Sequence, residues 1–160
     1  MFRLIVDADA CPVKAEINQL AEEFQLDVIY VASYNHFSVN RGKERWLFVD
    51  TNKEAADLKI VSTANYGDIV ITQDIGLSSM LLAKCDVFSN RGEKYQEREI
   101  ERLLDIRHQN AKARRSGHYS KGPSKMTAVD NQRFYLHLKA FIANKQKEVN
   151  TCETDSRRNH

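Results

Sequence analysis

Two aspartates, Asp7 and Asp9, stand one residue apart at the end of a short apolar run, Leu4-Ile5-Val6, with Cys11-Pro12 close behind. Asp74 follows a second run of the same kind, Ile69-Val70-Ile71-Thr72, and Asp57 falls within Lys53–Ile60, a stretch with helical composition. Several carboxylates held together repel one another and raise one another's pKa. A divalent cation relieves that repulsion, and hard oxygen ligands suit Mg²⁺ or Mn²⁺. Such an ion activates a water and stabilises charge on a phosphoryl group. Each residue also has a plainer role open to it. Asp9 could cap a helix opened by Pro12, Asp57 could be a solvated helix position, and Asp50 could be a turn residue. Asp7 and Asp74 are the best placed, because each follows an apolar strand.

The elements that must position these groups can be read from periodicity. Leu4–Val6 reads as a buried parallel strand, and Pro12 suits the first turn of a helix, where its missing N–H is no loss. Val13, Ile17, Leu20, Ala21 and Phe24 then recur at the spacing of one buried helical face. Val28–Ala32 and Trp46–Val49 read as strands, with 33–43 a polar and aromatic loop between them. Thr51 or Asn52 is placed to cap a helix carrying Ala55, Ala56, Leu58 and Val61. After the Ile69–Thr72 strand come a short helix around Leu77–Leu82, a short strand at Val87-Phe88, and a turn at Asn90-Arg91-Gly92. A long helix is expected from Gln96 to Arg115, and Thr127–Asp130 resembles a capping box opening a last helix with the face Phe134, Leu138, Phe141 and Ile142. Beyond Lys145 the chain is polar, and 146–160 reads as a disordered tail. Strands alternating with helices imply an α/β fold, a three-layer Rossmann-like arrangement around a mostly parallel sheet with an added C-terminal helical arm. In such a sheet Asp7, Asp50 and Asp74 share the carboxyl edge, where ligands bind, while Asp68 precedes its strand and belongs to the opposite edge.

Bulk properties narrow the function classes. The 160 residues, 42% hydrophobic and 29% charged, are those of one globular domain. No apolar run approaches the ~20 residues of a membrane span, no signal peptide is visible, and Cys11, Cys85 and Cys152 lack metal spacing. A cytoplasmic protein with reduced thiols is expected. The net charge of +2 hides an asymmetry: residues 1–105 carry 12 Lys/Arg and 18 Asp/Glu, a net −6, whereas 106–160 carry 12 and 4, a net +8. Ile106 to Val129 contains no acid, but holds Arg107, Lys112, Arg114, Arg115, Lys121 and Lys125. An acidic body with a basic arm suits a polyanion held against a metal-binding edge, although a charge run is more often a solvated face. There is no phosphate loop and no G-x-G-x-x-G, and Ser33 and Ser62 lack a nucleophile-elbow context. Cys11 is better suited to packing than to reactivity.

Taken in order, Asp7-Ala8-Asp9-Ala10-Cys11-Pro12-Val13-Lys14, Ala56-Asp57, Gly67-Asp68-Ile69-Val70-Ile71-Thr72-Gln73-Asp74, and Arg115-Ser116-Gly117 through Gly122-Pro123 to Asp130-Asn131-Gln132-Arg133-Phe134 resemble the YaiI/YqxD family of uncharacterised bacterial proteins over about residues 1–142. That family is similar to PIN-like domains, many of which are metal-dependent ribonucleases. The resemblance implies a single PIN-like domain over 1–145. It implies metal-binding, catalytic acids at Asp7, Asp57 and Asp74, with Asp9 as a further metal ligand. The acid that a PIN-type site carries on an early helix has no recognisable counterpart, for neither Glu16 nor Glu22 falls in a motif. The Gly-Pro loop and Asp130–Phe134 lie outside the ordinary PIN pattern and look like this family's own addition, which would bring Arg114, Arg115, Lys121 and Lys125 to a bound phosphate.

The leading expectation is a nuclease that hydrolyses phosphodiesters, RNA ahead of DNA, with Mg²⁺ or Mn²⁺ as cofactor and nucleic acid as partner. The alternative is a nucleic-acid-binding module without turnover. A third reading takes Asp7-Ala8-Asp9 as the D-x-D of haloacid-dehalogenase-type phosphatases, with Asp7 as nucleophile and Asp9 as general acid; Cys11 departs from that family's Thr or Val.

Overall fold

The computed structural model describes residues 1–34, 44–118 and 124–158, the Lys53 side chain excepted. Five strands, β1 (Leu4–Asp7), β2 (Val28–Ser33), β3 (Arg45–Val49), β4 (Ile69–Ile71) and β5 (Asp86–Phe88), form one sheet in the order β3-β2-β1-β4-β5. Every neighbouring pair is parallel, with Asp7 opposite Val31 and Val6 opposite both Tyr30 and Ile71. The helices are α1 (Lys14–Phe24), α2 (Lys53–Thr63), α3 (Ile75–Leu81), α4 (Glu97–Arg115) and α5 (Ala128–Arg158). The α/β three-layer arrangement expected from the sequence is the one found. No helix among the described residues is long and apolar enough to cross a membrane.

Alternation along the strands decides which helix covers which face. Leu4, Val6, Tyr30, Ala32, Ile69, Ile71 and Phe88 point to one face and pack with Ile17, Leu20 and Ala21 of α1 and with Phe134, Leu138 and Ile142 of α5. Ile5, Ile29, Val31, Val70 and Val87 point the other way, against Ile60 of α2, Leu77 and Leu81 of α3 and Ile100 of α4. The central strands are therefore apolar on both sides, and their buried residues leave no polar face to water. At the amino edge of the sheet, Asp68 is buried and accepts bonds from the Arg3 backbone N–H and guanidinium, each at 2.8 Å. It belongs to that edge, as its place before β4 implies.

Several local expectations need adjusting. Helix α1 starts at Lys14 with Val13 at its N-cap, so Pro12 lies in the preceding turn and not in the first helical turn. Of the segment 146–160, read as a disordered tail, 146–158 continue α5 to Arg158, and 159 and 160 lie outside the described residues. Its Lys, Gln and Glu residues are good helix formers with no Gly or Pro to stop them, Val149 reaches the core, and Gln146 Nε2 donates to the Phe24 carbonyl at 3.0 Å. The polar composition that suggested disorder is the exposed surface of a helix anchored upstream. Asn52 caps α2 by accepting the Ala55 N–H at 2.7 Å, and Thr127 and Asp130 form a reciprocal capping box at the start of α5. Of the loop expected over 33–43, Ser33 ends β2, and 35–43 lie outside the described residues.

Helix α5 is the element that the sequence leaves most open, and its docking has a measurable energy. Leu138 is fully buried between α5 and the sheet, while Leu136 is 52% exposed. Leu138→Ala is expected to lower unfolding stability by about 2–5 kcal/mol, whereas Leu136→Ala should stay within about 0.5 kcal/mol. Urea titrations of both variants, read as midpoints at unchanged slope, check the difference.

Candidate functional site

The strand order reverses between β1 and β4: the chain builds outward from β1 to β2 and β3, then returns to the other side of β1. The helices that leave these two strands go to opposite faces, α1 to the side of Leu4 and Val6, α3 to the side of Ile5 and Val70. This divergence opens a crevice beyond the carboxyl ends of the strands. A cavity of about 300 Å³ lies there, and its walls include Asp7, Asp9, Asp57 and Asp74 together with Ser33, Gln73 and Asn90. The four aspartates singled out in the sequence are thus brought to one place. Asp50, exposed after β3, fits the role of a turn residue.

Each carboxylate is held by a different device. Asp7 ends β1 half-buried, and Thr72 Oγ1 donates to its Oδ2 at 2.9 Å across the reversal. The same Thr72 oxygen accepts the Asp74 N–H at 3.0 Å, so one buried hydroxyl ties both strand ends together. Asp74 is the N-cap of α3, with Oδ1 accepting the Leu77 N–H at 3.0 Å. Asp9 does not cap α1: its Oδ1 accepts the Ser33 N–H at 2.8 Å and the Ser33 hydroxyl at 3.3 Å, which fixes the β1 loop to the end of β2. Asp57 comes from the second turn of α2, whose start is set by the Asn52 cap.

The electrostatics are those of a site rich in carboxylates. Burial, as the largest cause, pushes the Asp7 carboxyl above its ordinary range; the Thr72 hydrogen bond opposes this, and the charges of Asp57, Asp9 and Asp74 add to it. Each of those three neighbours acts on Asp7 as a negative charge. Among the described residues, however, no three His, Cys, Asp or Glu side chains close into a group that could hold a metal ion by themselves. The donor chemistry and the room in the cavity suit a hydrated ion better than a closed protein cage, which is how Mg²⁺ is commonly held.

The other sequence candidates lie elsewhere. Arg114 and Arg115 are exposed on the last turn of α4, Lys125 is exposed before α5, and none of them lines the acidic cavity. Lys121 and the Gly122-Pro123 pair lie outside the described residues. Burial pushes the Cys11 thiol up to about 11, which fits the packing role expected for it.

Sequence reasoning missed the polar residues that frame the cavity. The Asn90 N–H donates to Gln73 Oε1 at 3.0 Å, and its Nδ2 donates to the Ala10 carbonyl at 3.2 Å, stitching the β5 turn to the loops after β4 and β1. The next residues fasten α5: Arg91 pairs with Asp130 at 3.3 Å. Gly92, at φ +79°, leaves no room for a side chain, since a Cβ there would stand 3.0 Å from Phe134 Cα. The one signal in the sequence was Asn90-Arg91-Gly92, legible as a turn but not as a wall of the site.

Comparison with known proteins places this arrangement in a family. The model of the YaiI/YqxD family, described as an uncharacterized BCR family, matches residues 5–144, and so spans all four aspartates. The UPF0178 protein of Listeria innocua is 58% identical over 146 residues, covering 91% of this chain and 100% of that protein. The UPF0178 protein of Bacillus velezensis is 48% identical over 143 residues, 88% of this chain and 85% of the relative, and that of Shouchella clausii is 44% identical over 144 residues, 89% and 94%. No solved structure matches the chain. Matched along nearly its whole length, the chain belongs to the YaiI/YqxD family.

Proposed function

We propose that the protein is a PIN-like, metal-dependent phosphodiesterase acting on nucleic acid, RNA ahead of DNA, in the bacterial cytoplasm. The observation that carries this reading is the meeting of Asp7, Asp9, Asp57 and Asp74 around one cavity at the strand-order reversal. Asp7, Asp57 and Asp74, with Asp9, would hold Mg²⁺ or Mn²⁺, and the ion would supply an activated water and charge stabilisation at phosphorus. The chain's own contribution is orientation. Asp9 and Asp74 are fixed by backbone N–H groups and Asp7 by Thr72, so the carboxylates face the cavity before any ligand arrives. Arg114, Arg115, Lys121 and Lys125 would meet the flanking backbone of a polyanion.

A second reading, a nucleic-acid-binding protein without turnover, is favoured by one observation: the absence, among the described residues, of a ready-made three-ligand group. The phosphatase reading is weakened by Asp9, whose Oδ1 is engaged with Ser33 and so is poorly placed to serve as a general acid.

Cleavage of an end-labelled single-stranded RNA in Mn²⁺, beside an EDTA control and the Asp7→Asn protein, tests the proposal. Activity is expected to vanish in EDTA and to fall in Asp7→Asn by more than the roughly 10–100-fold cost of losing an outer-sphere partner. Cleavage that survives Asp7→Asn belongs to a contaminant or to other chemistry. Turnover absent throughout, with salt-dependent RNA binding intact, favours the binding module.

Thr72→Val removes the hydroxyl that orients Asp7 while keeping its shape. It should weaken Mn²⁺ binding by roughly 10–100-fold, measured by calorimetry, and unchanged affinity would remove Thr72 from the site.

The raised proton affinity of Asp7 makes a prediction of unusual sign. For a carboxyl whose folded pKa lies above its unfolded one, the neutral form is the stabilising one. Without added metal, Asp7→Asn should therefore melt higher than the wild type at neutral pH. The gap is fully open above the raised folded pKa of Asp7 and closes as pH falls to the ordinary carboxylate range near 3.8. Thermal melts across that window check it; a variant less stable at every pH would show that the Asp7 charge is already neutralised within the fold.

A further inference from the structure

The second half of α4 is the part of the molecule that the fold does not explain. Of its 19 residues only Ile100 is buried, and every residue from Leu104 to Gln109 is exposed. Yet this stretch does not run away from the acidic cavity. A Cβ placed on Gly76 would stand 3.2 Å from Asp74 Oδ1 and 4.0 Å from Arg107 Nη1. Gly76 lies in the first turn of α3, directly after the Asp74 cap that lines the cavity. The Arg107 guanidinium and the Asp74 carboxylate therefore approach the same side-chain-free position at Gly76, next to the wall of the cavity that Asp74 supplies.

Position sets Arg107 apart from the other cations of the basic stretch. It does not itself line the cavity, but it stands beside Gly76 and so next to Asp74, which does. Like Arg114, Arg115 and Lys125, it forms no ion pair among the described residues. A guanidinium carries five N–H donors in a planar fork that fits two oxygens of a phosphate. An acidic cavity repels a phosphodiester, so a substrate of that class needs a cation on the protein as well as any ion among the carboxylates.

We infer that Arg107 is the phosphate-contacting residue of the acidic site. Its guanidinium binds the non-bridging oxygens of a phosphodiester, and the side-chain-free notch at Gly76 lets that group lie against the Asp74 side of the cavity. The identity of the ligand rests on the phosphodiesterase reading; the placement of the cation does not. Three consequences separate Arg107 from a merely solvated arginine. Its charge contributes to the salt dependence of binding, its fork contributes beyond its charge, and a methyl group on Gly76 obstructs the same contact.

The test is binding of an end-labelled single-stranded RNA in EDTA across a salt series, for Arg107→Ala, Arg107→Lys, Gly76→Ala and, as a control at the far end of α4, Arg98→Ala. Arg107→Ala should weaken binding roughly ten- to hundred-fold, as loss of a charged hydrogen-bond partner does, and lower the salt slope by about one. Arg107→Lys should keep the slope and recover only part of the affinity. Gly76→Ala should weaken binding without changing the slope, and Arg98→Ala should match the wild type. Arg107→Ala binding with wild-type affinity and slope overturns the inference, and so does a wild type that does not bind RNA at low salt. Cleavage of the same RNA in Mn²⁺ separates the two proposals. If neither the wild type nor Asp7→Asn cleaves but Arg107→Ala still weakens binding, the phosphodiesterase reading falls and the Arg107 contact stands.

Discussion

The hydrogen bond from Thr72 to Asp7 spans the one place where the sheet cannot close on itself. Strands β1 and β4 are parallel neighbours, but the chain leaves them toward opposite faces, to α1 and to α3. A crevice at their carboxyl ends follows from topology alone. Thr72 bridges it with a single hydroxyl that donates to Asp7 and accepts from the Asp74 backbone, so the two strand ends and two of the four carboxylates are set by one buried group. The face alternation of β1, with Leu4 and Val6 on one side and Ile5 on the other, locks this register. A slip of one residue would exchange the two cores and carry Asp7 away from Thr72.

The same geometry creates an electrostatic debt within the protein. Asp7 is desolvated and faces three further carboxylates, and the Thr72 bond offsets only part of this. The fold tolerates the arrangement because the remaining acids are held by good partners: Asp9 by Ser33 and Asp74 by the amino end of α3. Such local conflicts between stability and placement are common where a site must accept a charged ligand. The amino edge offers the contrast. There Asp68 is more deeply buried than Asp7, but it accepts the Arg3 guanidinium and two backbone N–H groups, so its charge is matched within the chain. At the amino edge the Asp68 charge is matched by Arg3, whereas at the carboxyl edge burial and three neighbouring carboxylates act against the Asp7 charge.

How much of this was visible in the sequence depends on the range of the interaction concerned. The strands were legible because parallel strands buried on both faces are short apolar runs, and Asp7 and Asp74 were legible because they follow such runs. Asp57 needed a further step, from helical composition to the direction in which the helix starts. Ser33, Gln73 and Asn90 were not legible, since each serves through a loop or a backbone bond whose partner lies in another βα unit. Arg107 was visible only as one cation among several. Its relation to Gly76 depends on how α4 packs against α3, and a helix with one buried residue carries too little apolar pattern to announce its rotation. The 146–158 segment misled for a related reason: a helix extended by propensity from an anchored start needs no apolar stripe of its own.

These ranges of interaction also divide the labour within the site. The carboxylates stand on the sheet and on capped helix starts, where backbone hydrogen bonds restrict them, and a binding constellation gains most from that kind of rigidity. Arg107 stands on a largely exposed helix, at the end of a long and flexible side chain. Under the proposed function, firmly held carboxylates beside a cation on an exposed helix suit a ligand whose charge is met in a fixed place by an ion and over a range of positions by the protein. A polymer of phosphates has that character, because each unit presents the same charge at a different point along the chain. A small phosphomonoester would be served better by a cation fixed as firmly as the carboxylates. The contrast between these two kinds of support is therefore an argument from mechanics, separate from the residue types, for the polymeric substrate of the proposed function.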